Sequence, residues 1–527
     1  MNAQKPFSPH WADIAAFQVV QNKGDKDTYT AASGITPSGT VHVGNFREVI
    51  TVDLVVRALR SLGKNVRFIY SWDNFDTFRK VPKNLPDPEA FQPHLRKPIA
   101  RIPDPWGLEA TYAKGRMALF EKELAQVGIS PEYISQEQRY SSGTYAKDIR
   151  FALEKKDQIR EILDRFRTQA LSEDWLPTAI YCSKCQKDEM EYERYNGEWT
   201  YSYKCKSCGL EERVDIRKTL NLKLAWRIDW PMRWAFEGVD FEPGGKDHSS
   251  EGGSFDSGKQ IVKEVWGKDP PQYLQYDFVM IKGGAGKMSS SSGELYTLSQ
   301  VLEVYEPQIV RWIFANHRPN HDFALAFDED VFKVYDEFDK AESMALAPAP
   351  HRPGKWPLLR RTYELSLPDG KLPSEMPQRP KFRELCSRLQ ICGGDTERTW
   401  EKFYKNEMGE SKKPYFMLRA LRAWHWLSEY APEDFRYHLQ EKKPEGLTSQ
   451  EEQILSALRN LVSTVDLETI GEQDLGNLIW EKVIKALNGD AKQTFTTIYR
   501  SLIGRDQGPR LPNFLKEIGK ERLMELL

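Results

Sequence analysis

Residues 28–70 constrain the fold more than any other stretch. Thr28–Ile35 (TYTAASGI) reads as a short buried strand running into the turn TPSGTVHVGN, which is built of small residues, a proline and glycines. Across residues 45–62, Val49, Val52, Val55, Val56 and Leu59 recur at helical spacing, and Gly63 supplies a stop signal. Residues 66–70 (VRFIY) read as the next strand. Strand, glycine-rich turn, helix, strand is a βαβ unit, and parallel strands need such a crossover. The predicted class is α/β with a doubly wound parallel sheet, whose ligand crevice lies outside the carboxyl ends of the strands.

The rest of the chain reads more coarsely. Residues 80–105 are proline-rich and suggest an extended connection. Helices are expected over 108–127, 145–169, 254–266, 298–315 and 329–343. Residues 222–234 read as strand and loop, and 273–281 as one buried strand. A proline-rich break over 345–380 suggests a linker, and almost everything from 381 onward is amphipathic helix. At about 150 residues per domain the length suggests three or four folding units.

Composition excludes several classes. The 75 Lys+Arg nearly cancel the 77 Asp+Glu, which argues against wholesale coating of a polyanion but allows a local basic face. With 40% hydrophobic and 29% charged residues the chain forms cores and is not disordered. No apolar run reaches the roughly 18 residues of a membrane span. The N-terminal MNAQKPFSPHWADIAAF lacks a signal-peptide pattern. Four of the six cysteines fall in two CxxC pairs, which suits a reduced cytoplasm and a metal better than disulfides.

Four motifs carry chemistry. HVGN, with His42, Gly44 and Asn45, opens the helix after the first strand, where free N–H groups and the helix dipole favour phosphate. His42 and Asn45 are three apart and can donate to one ligand; the plainer alternative is a helix cap with a surface histidine. KMSSSSG follows the glycine-rich IKGGAG and offers Lys287, a mobile point charge suited to a pyrophosphate, beside Met288, Ser289 and Ser290. Read alone, that stretch is equally a Gly/Ser linker. GGKDH holds Gly245, which permits close approach, Asp247, which can accept from a ribose hydroxyl, and His248; otherwise it is a polar turn. Cys182, Cys185, Cys205 and Cys208 form two knuckles around an Asn196-Gly197 hairpin signal, which predicts a closed, structural zinc ribbon over about residues 177–214 rather than four free thiols. Cys386 and Cys392 have no partner pair and read as ordinary buried cysteines.

HVGN resembles the HIGH signature, and KMSSS the KMSKS signature, of class I aminoacyl-tRNA synthetases, with Asn45 for the final histidine and Ser290 for the second lysine. The blocks SGITPSGTVHVGNFRE, SWDNFDTFRKVP, LAWRIDWPMRW, FEPGGKDHSSEGGS, QYDFVMIKGGAGKMSSSSG and YRSLIGRDQGPRLPNFL resemble the class I, archaeal-type lysyl-tRNA synthetases from about residue 10 to the end. That resemblance implies activation of L-lysine with ATP and Mg²⁺ to lysyl-adenylate, with the tRNA bound, and transfer to tRNA(Lys) by a monomer without a membrane partner. It implies His42, Asn45 and Lys287 as catalytic residues. ATP would be bound by Pro37, Gly39, His42, Gly44, Asn45, Gly245, Asp247, Lys287, Met288, Ser289 and Ser290. Gly34, Thr36, Asp73, Trp226, His248 and Tyr276 would meet the amino acid. Asp73, Asp76, Asp229 and Asp277 all remain open as the anion for its side-chain ammonium, and Trp226 and Trp230 as aromatic neighbours or core.

By the same resemblance, residues 1–80 and 221–297 form the two halves of the catalytic domain, and 81–220 a connective insert with the ribbon. Residues 298–345 would be stem-contact helices, 346–380 a linker and 381–527 a helical anticodon-binding domain. In that last part Tyr415, Phe416, Trp424, Trp426, Arg419 and Arg422 are stacking and phosphate candidates, or core. The other readings are a synthetase for another amino acid, a nucleotidylyltransferase that uses no tRNA, and a noncatalytic RNA-binding relative.

Overall fold

The structure, a computed structural model, describes residues 10–283, 295–352, 354–487 and 489–527. Its centre is a five-stranded, wholly parallel sheet. In spatial order the strands are Gln272–Tyr276, Val239–Gly245, β1 (Thr28–Ile35), β2 (Asn65–Trp72) and β3 (Glu132–Ser135). The chain builds outward from β1 to β3, then returns to the other side of β1. The gap between β1 and Val239–Gly245 is therefore the topological switch point, where such sheets open a ligand crevice.

The helix α2 (Val43–Ser61) joins β1 to β2. Val49, Ile50, Val52, Leu54, Val55, Val56 and Leu59 are all fully buried, so it is held mostly by apolar burial, about 1.5–3 kcal/mol for each large side chain. Its one buried arginine, Arg47, donates to the carbonyls of Arg318 (2.9 Å) and Pro319 (3.0 Å). An N-terminal helix, α1 (Trp11–Lys23), packs through Ala12, Ala15, Ala16 and Val19, small residues that leave little sequence signal.

The helices expected over 145–169 and 298–315 are each two, Ala146–Glu154 with Lys156–Asp164 and Leu298–Val304 with Pro307–Asn316, and three further expectations need revision. Residues 222–234 are not strand and loop: a short strand, Leu222–Leu224, leads into a helix, Trp226–Glu237. Pro231 inside that helix argued against it, but burial of Ile228, Met232 and Trp234 outweighs the missing hydrogen bond. Residues 273–281 are two strands, Gln272–Tyr276 and Val279–Ile281. The proline-rich stretch carries a helix, Trp356–Ser366, whose Tyr363 is fully buried and donates to Glu342 (2.8 Å).

The insert contains a three-stranded antiparallel sheet, Met190–Tyr195, Thr200–Cys205 and Glu211–Asp215. By contacts the chain forms two units: residues 1–302, 307–325 and 341–372, and residues 303–306, 326–340 and 373–527. The second is helical and has its own core around Leu455, Leu458, Leu502 and Phe514. Among the described residues no helix is long and apolar enough to cross a membrane.

Candidate functional site

His42 is the N-cap of α2, and the two motif residues close on each other. His42 Nδ1 accepts from the Gly44 N–H (3.1 Å), and Asn45 Oδ1 accepts from the His42 N–H (3.1 Å). With Nδ1 an acceptor, the neutral ring carries its proton on Nε2. The capping alternative is thus realised, though with a buried histidine and not a surface one, and it fixes the His42 ring and the Asn45 amide at the N-terminus of α2, just after β1. Pro37 and Gly39 are buried in the turn before the helix. Lys287, Met288, Ser289 and Ser290 lie outside the described residues; just beyond them, the Tyr296 carbonyl accepts from Val43 N (2.8 Å) at the start of α2.

Across the crevice, the strand Val239–Gly245 ends in the turn that carries Asp247 and His248, both exposed. His248 Nδ1 is 2.8 Å from Ser254 Oγ, and the Trp226 and Trp230 rings flank it at 6.3 and 5.9 Å. Trp226 is 39% exposed, whereas Trp230 donates through its indole to Glu242 (3.0 Å). Trp234 donates to the other oxygen of that carboxyl. Burial pushes Glu242 up to about 7 against those two donors. Gly34 and Gly244 have neighbours that demand glycine. A Cβ on Gly34 would lie 2.7 Å from the Ser71 carbonyl, and one on Gly244 1.9 Å from the Tyr273 hydroxyl.

The aspartates singled out from sequence are all engaged. Asp73 receives Arg233 at 2.7 Å, and the same guanidinium reaches Asp229 at 3.1 Å. Asp229 is buried and also accepts from Tyr140. Asp76 pairs with the buried Lys223 and accepts from Thr36 Oγ1 (2.7 Å), so Thr36 is turned toward a carboxylate. Burial would raise Asp76, but the Lys223 ammonium outweighs it and holds the carboxyl below its usual range. Asp277 accepts from Gln275 (3.0 Å) and lies in the field of Arg47.

The sequence reading passed over one acid at this place. Glu48 is half-buried on α2, three residues after Asn45. Its Oε1 accepts from Ser33 Oγ (2.9 Å) and Gly34 N (3.1 Å), and its Oε2 from Tyr276 OH (2.7 Å). Burial raises its pKa despite these donors. The i, i+3 spacing from Asn45 was the available signal, since it places both side chains on one helix face.

The four motif cysteines come together, with ligand atoms all within 4.8 Å of one another, and could hold a metal ion. Cys182 and Cys208 are 3.5 Å apart, as are Cys185 and Cys205. The two knuckles repeat one backbone pattern. Cys182 N donates to Lys187 O and Gln186 N to Cys182 O; Cys205 N donates to Leu210 O and Gly209 N to Cys205 O. Both fourth positions are left-handed, with φ 64° at Gln186 and 74° at Gly209. In the helical unit, Phe416, Trp426 and Arg419 are fully buried, which is the core alternative, while Tyr415 is partly exposed. Cys386 and Cys392 are buried, as read.

A parallel sheet with a helix N-terminus at its switch point is the architecture of an α/β nucleotide-binding enzyme. The chain belongs to the family described as tRNA synthetases class I (K), whose family model matches residues 9–369. Curated relatives agree along the whole length. A lysine–tRNA ligase of Borreliella burgdorferi is 44% identical over 98% of both chains. Those of Treponema pallidum and Thermococcus kodakarensis are each 41% identical, over 99% and 98% of this chain and 98% and 99% of theirs. Among solved structures, a glutamate tRNA ligase from Elizabethkingia meningosepticum is a distant likeness (12% identity, TM-score 0.45, covering 94% of this chain and 97% of that one).

Proposed function

We propose that this chain is a class I lysine–tRNA ligase. It would join L-lysine to ATP, giving lysyl-adenylate and pyrophosphate, and pass the lysyl group to the terminal adenosine of tRNA(Lys). The observation that carries this reading is near-full-length likeness to ligases of that name, in a chain whose HVGN donors sit at the sheet's switch point.

In the first step a lysine carboxylate oxygen attacks the α-phosphorus and pyrophosphate leaves. Such displacement needs positioning and charge stabilisation more than covalent help. The His42 ring and the Asn45 amide serve the α-phosphate, with Gly44 N–H already committed to the cap. Pro37 and Gly39 shape the turn, Gly245 and Asp247 meet the adenosine, and Lys287 with Met288, Ser289 and Ser290 follows the pyrophosphate. Gly34, Thr36, Asp73, Trp226, His248 and Tyr276 surround the amino acid, Asp73 and Thr36 through the groups they fix. Mg²⁺ enters with ATP. In the second step a ribose hydroxyl of the tRNA attacks the adenylate carbonyl and AMP leaves.

Four cysteine donors suit a closed tetrahedral Zn²⁺ site, and its part is structural. The domain roles follow the family, with residues 381–527 reading the anticodon, in a cytoplasmic monomer. The direct test is charging of tRNA by the purified protein. Labelled lysine should become acid-precipitable on tRNA(Lys); charging with another amino acid alone would overturn the substrate.

A further inference from the structure

We infer that Glu48 is the anionic contact for the side-chain ammonium of the amino-acid substrate, a specificity-determining residue alongside those named above. The inference rests on the lysine reading and adds the group that selects the cation.

The argument starts with charge. An ammonium leaving water needs an anion or a cluster of acceptors, and an acid already paired with a guanidinium has little to offer. Asp73 and Asp229 share Arg233, Asp76 holds Lys223, and Asp277 lies in the field of Arg47. Glu48 is different: each of its hydrogen bonds comes from a neutral donor, a serine hydroxyl, a backbone N–H and a tyrosine hydroxyl. Among the described residues it takes part in no ion pair.

Hydrogen-bond capacity leads to the same place. A carboxylate has about four acceptor positions. Oε1 fills two, with Ser33 and Gly34, and Oε2 fills one with Tyr276. One position on Oε2 is left for a donor, and an ammonium would supply both that hydrogen bond and the missing charge. The location fits, because Ser33 and Gly34 end β1 and Tyr276 ends its strand on the far side of the switch point. The three neutral donors fix the carboxylate's orientation without neutralising it. Two other carboxyls nearby, Glu242 beneath Trp230 and Trp234 and Asp277 beside Tyr276, are excluded by burial, each being only 9% exposed.

The test compares wild type with Glu48→Gln in full-length protein with tRNA. Glutamine keeps an acceptor for Ser33 and Gly34 and loses the charge. The lysine KM should rise about 10- to 100-fold, as for loss of a charge-assisted hydrogen bond, with the KM values for ATP and tRNA unchanged within about twofold. Preference for lysine over norleucine as a competitive ligand, which differ by the ammonium, should fall by a similar factor. Glu48→Asp, which restores the charge, should recover part of both. An unchanged lysine KM, or an unchanged lysine-to-norleucine preference, overturns the role of Glu48. Parallel rises in all three KM values with a lower melting temperature also overturn it, since they would mark a structural residue. Wild type that charges tRNA with an amino acid other than lysine refutes the lysine reading itself, and Glu48 falls with it.

Discussion

Lys223 is a buried ammonium paired directly with Asp76, with Asp229 adding to the field that holds its charge. Breaking such a pair leaves a charge without compensation, so Lys223→Met should destabilise the protein by about 3–5 kcal/mol in urea unfolding. A loss below about 1 kcal/mol would mean that Arg233 and the solvent at the partly exposed Asp76 side chain already compensate its charge. Glu242 makes a second prediction. Its carboxyl titrates at about 7 in the folded protein against an ordinary 4.5, so the folded state binds the extra proton between those values. Stability must therefore fall as pH rises from about 4.5 through 7, by about 3 kcal/mol in all. Glu242→Gln should flatten that portion of the stability curve, and an unchanged slope would place the titration elsewhere. These residues show where sequence reading stops. HVGN was legible because its donors are three apart on one helix. The aspartates were not rankable, because Asp73 and Asp76 find their cations at 233 and 223, a pairing set by the sheet and not by spacing.

Elements were legible where local pattern and burial agree. α2 follows its apolar periodicity, and β1, a continuously buried run, has the bounds read from sequence. The helix Trp226–Glu237 was missed because Pro231 and a crowd of tryptophans obscure its period, and only tertiary burial makes it helical. Gly34 gives an element-scale test. Its missing Cβ lets β1 approach β2 at Ser71, so Gly34→Ala should separate the strands and cost about 1–3 kcal/mol. It should also raise the lysine KM, since Gly34 N holds Glu48. Full stability in that variant would show that the strands part without strain. In the insert, Cys182→Ser should lower bound zinc from about one per chain, by metal analysis, and destabilise the ribbon. A fully active, metal-free wild type would contradict the ribbon.

On the scale of the whole molecule the chain interleaves its two units. Residues 303–306 and 326–340 belong with 373–527, and within that unit the buried Glu306 is held by Arg419 at 2.7 Å. Sequence could suggest a helical second half, but the short returning segments carry no composition change to mark them. The most direct test of the central claim is pyrophosphate exchange into ATP, measured with each amino acid in turn, with and without total tRNA. Exchange with lysine alone, and only when tRNA is present, is the predicted result. Exchange with a different amino acid, or none under any condition, would contradict it.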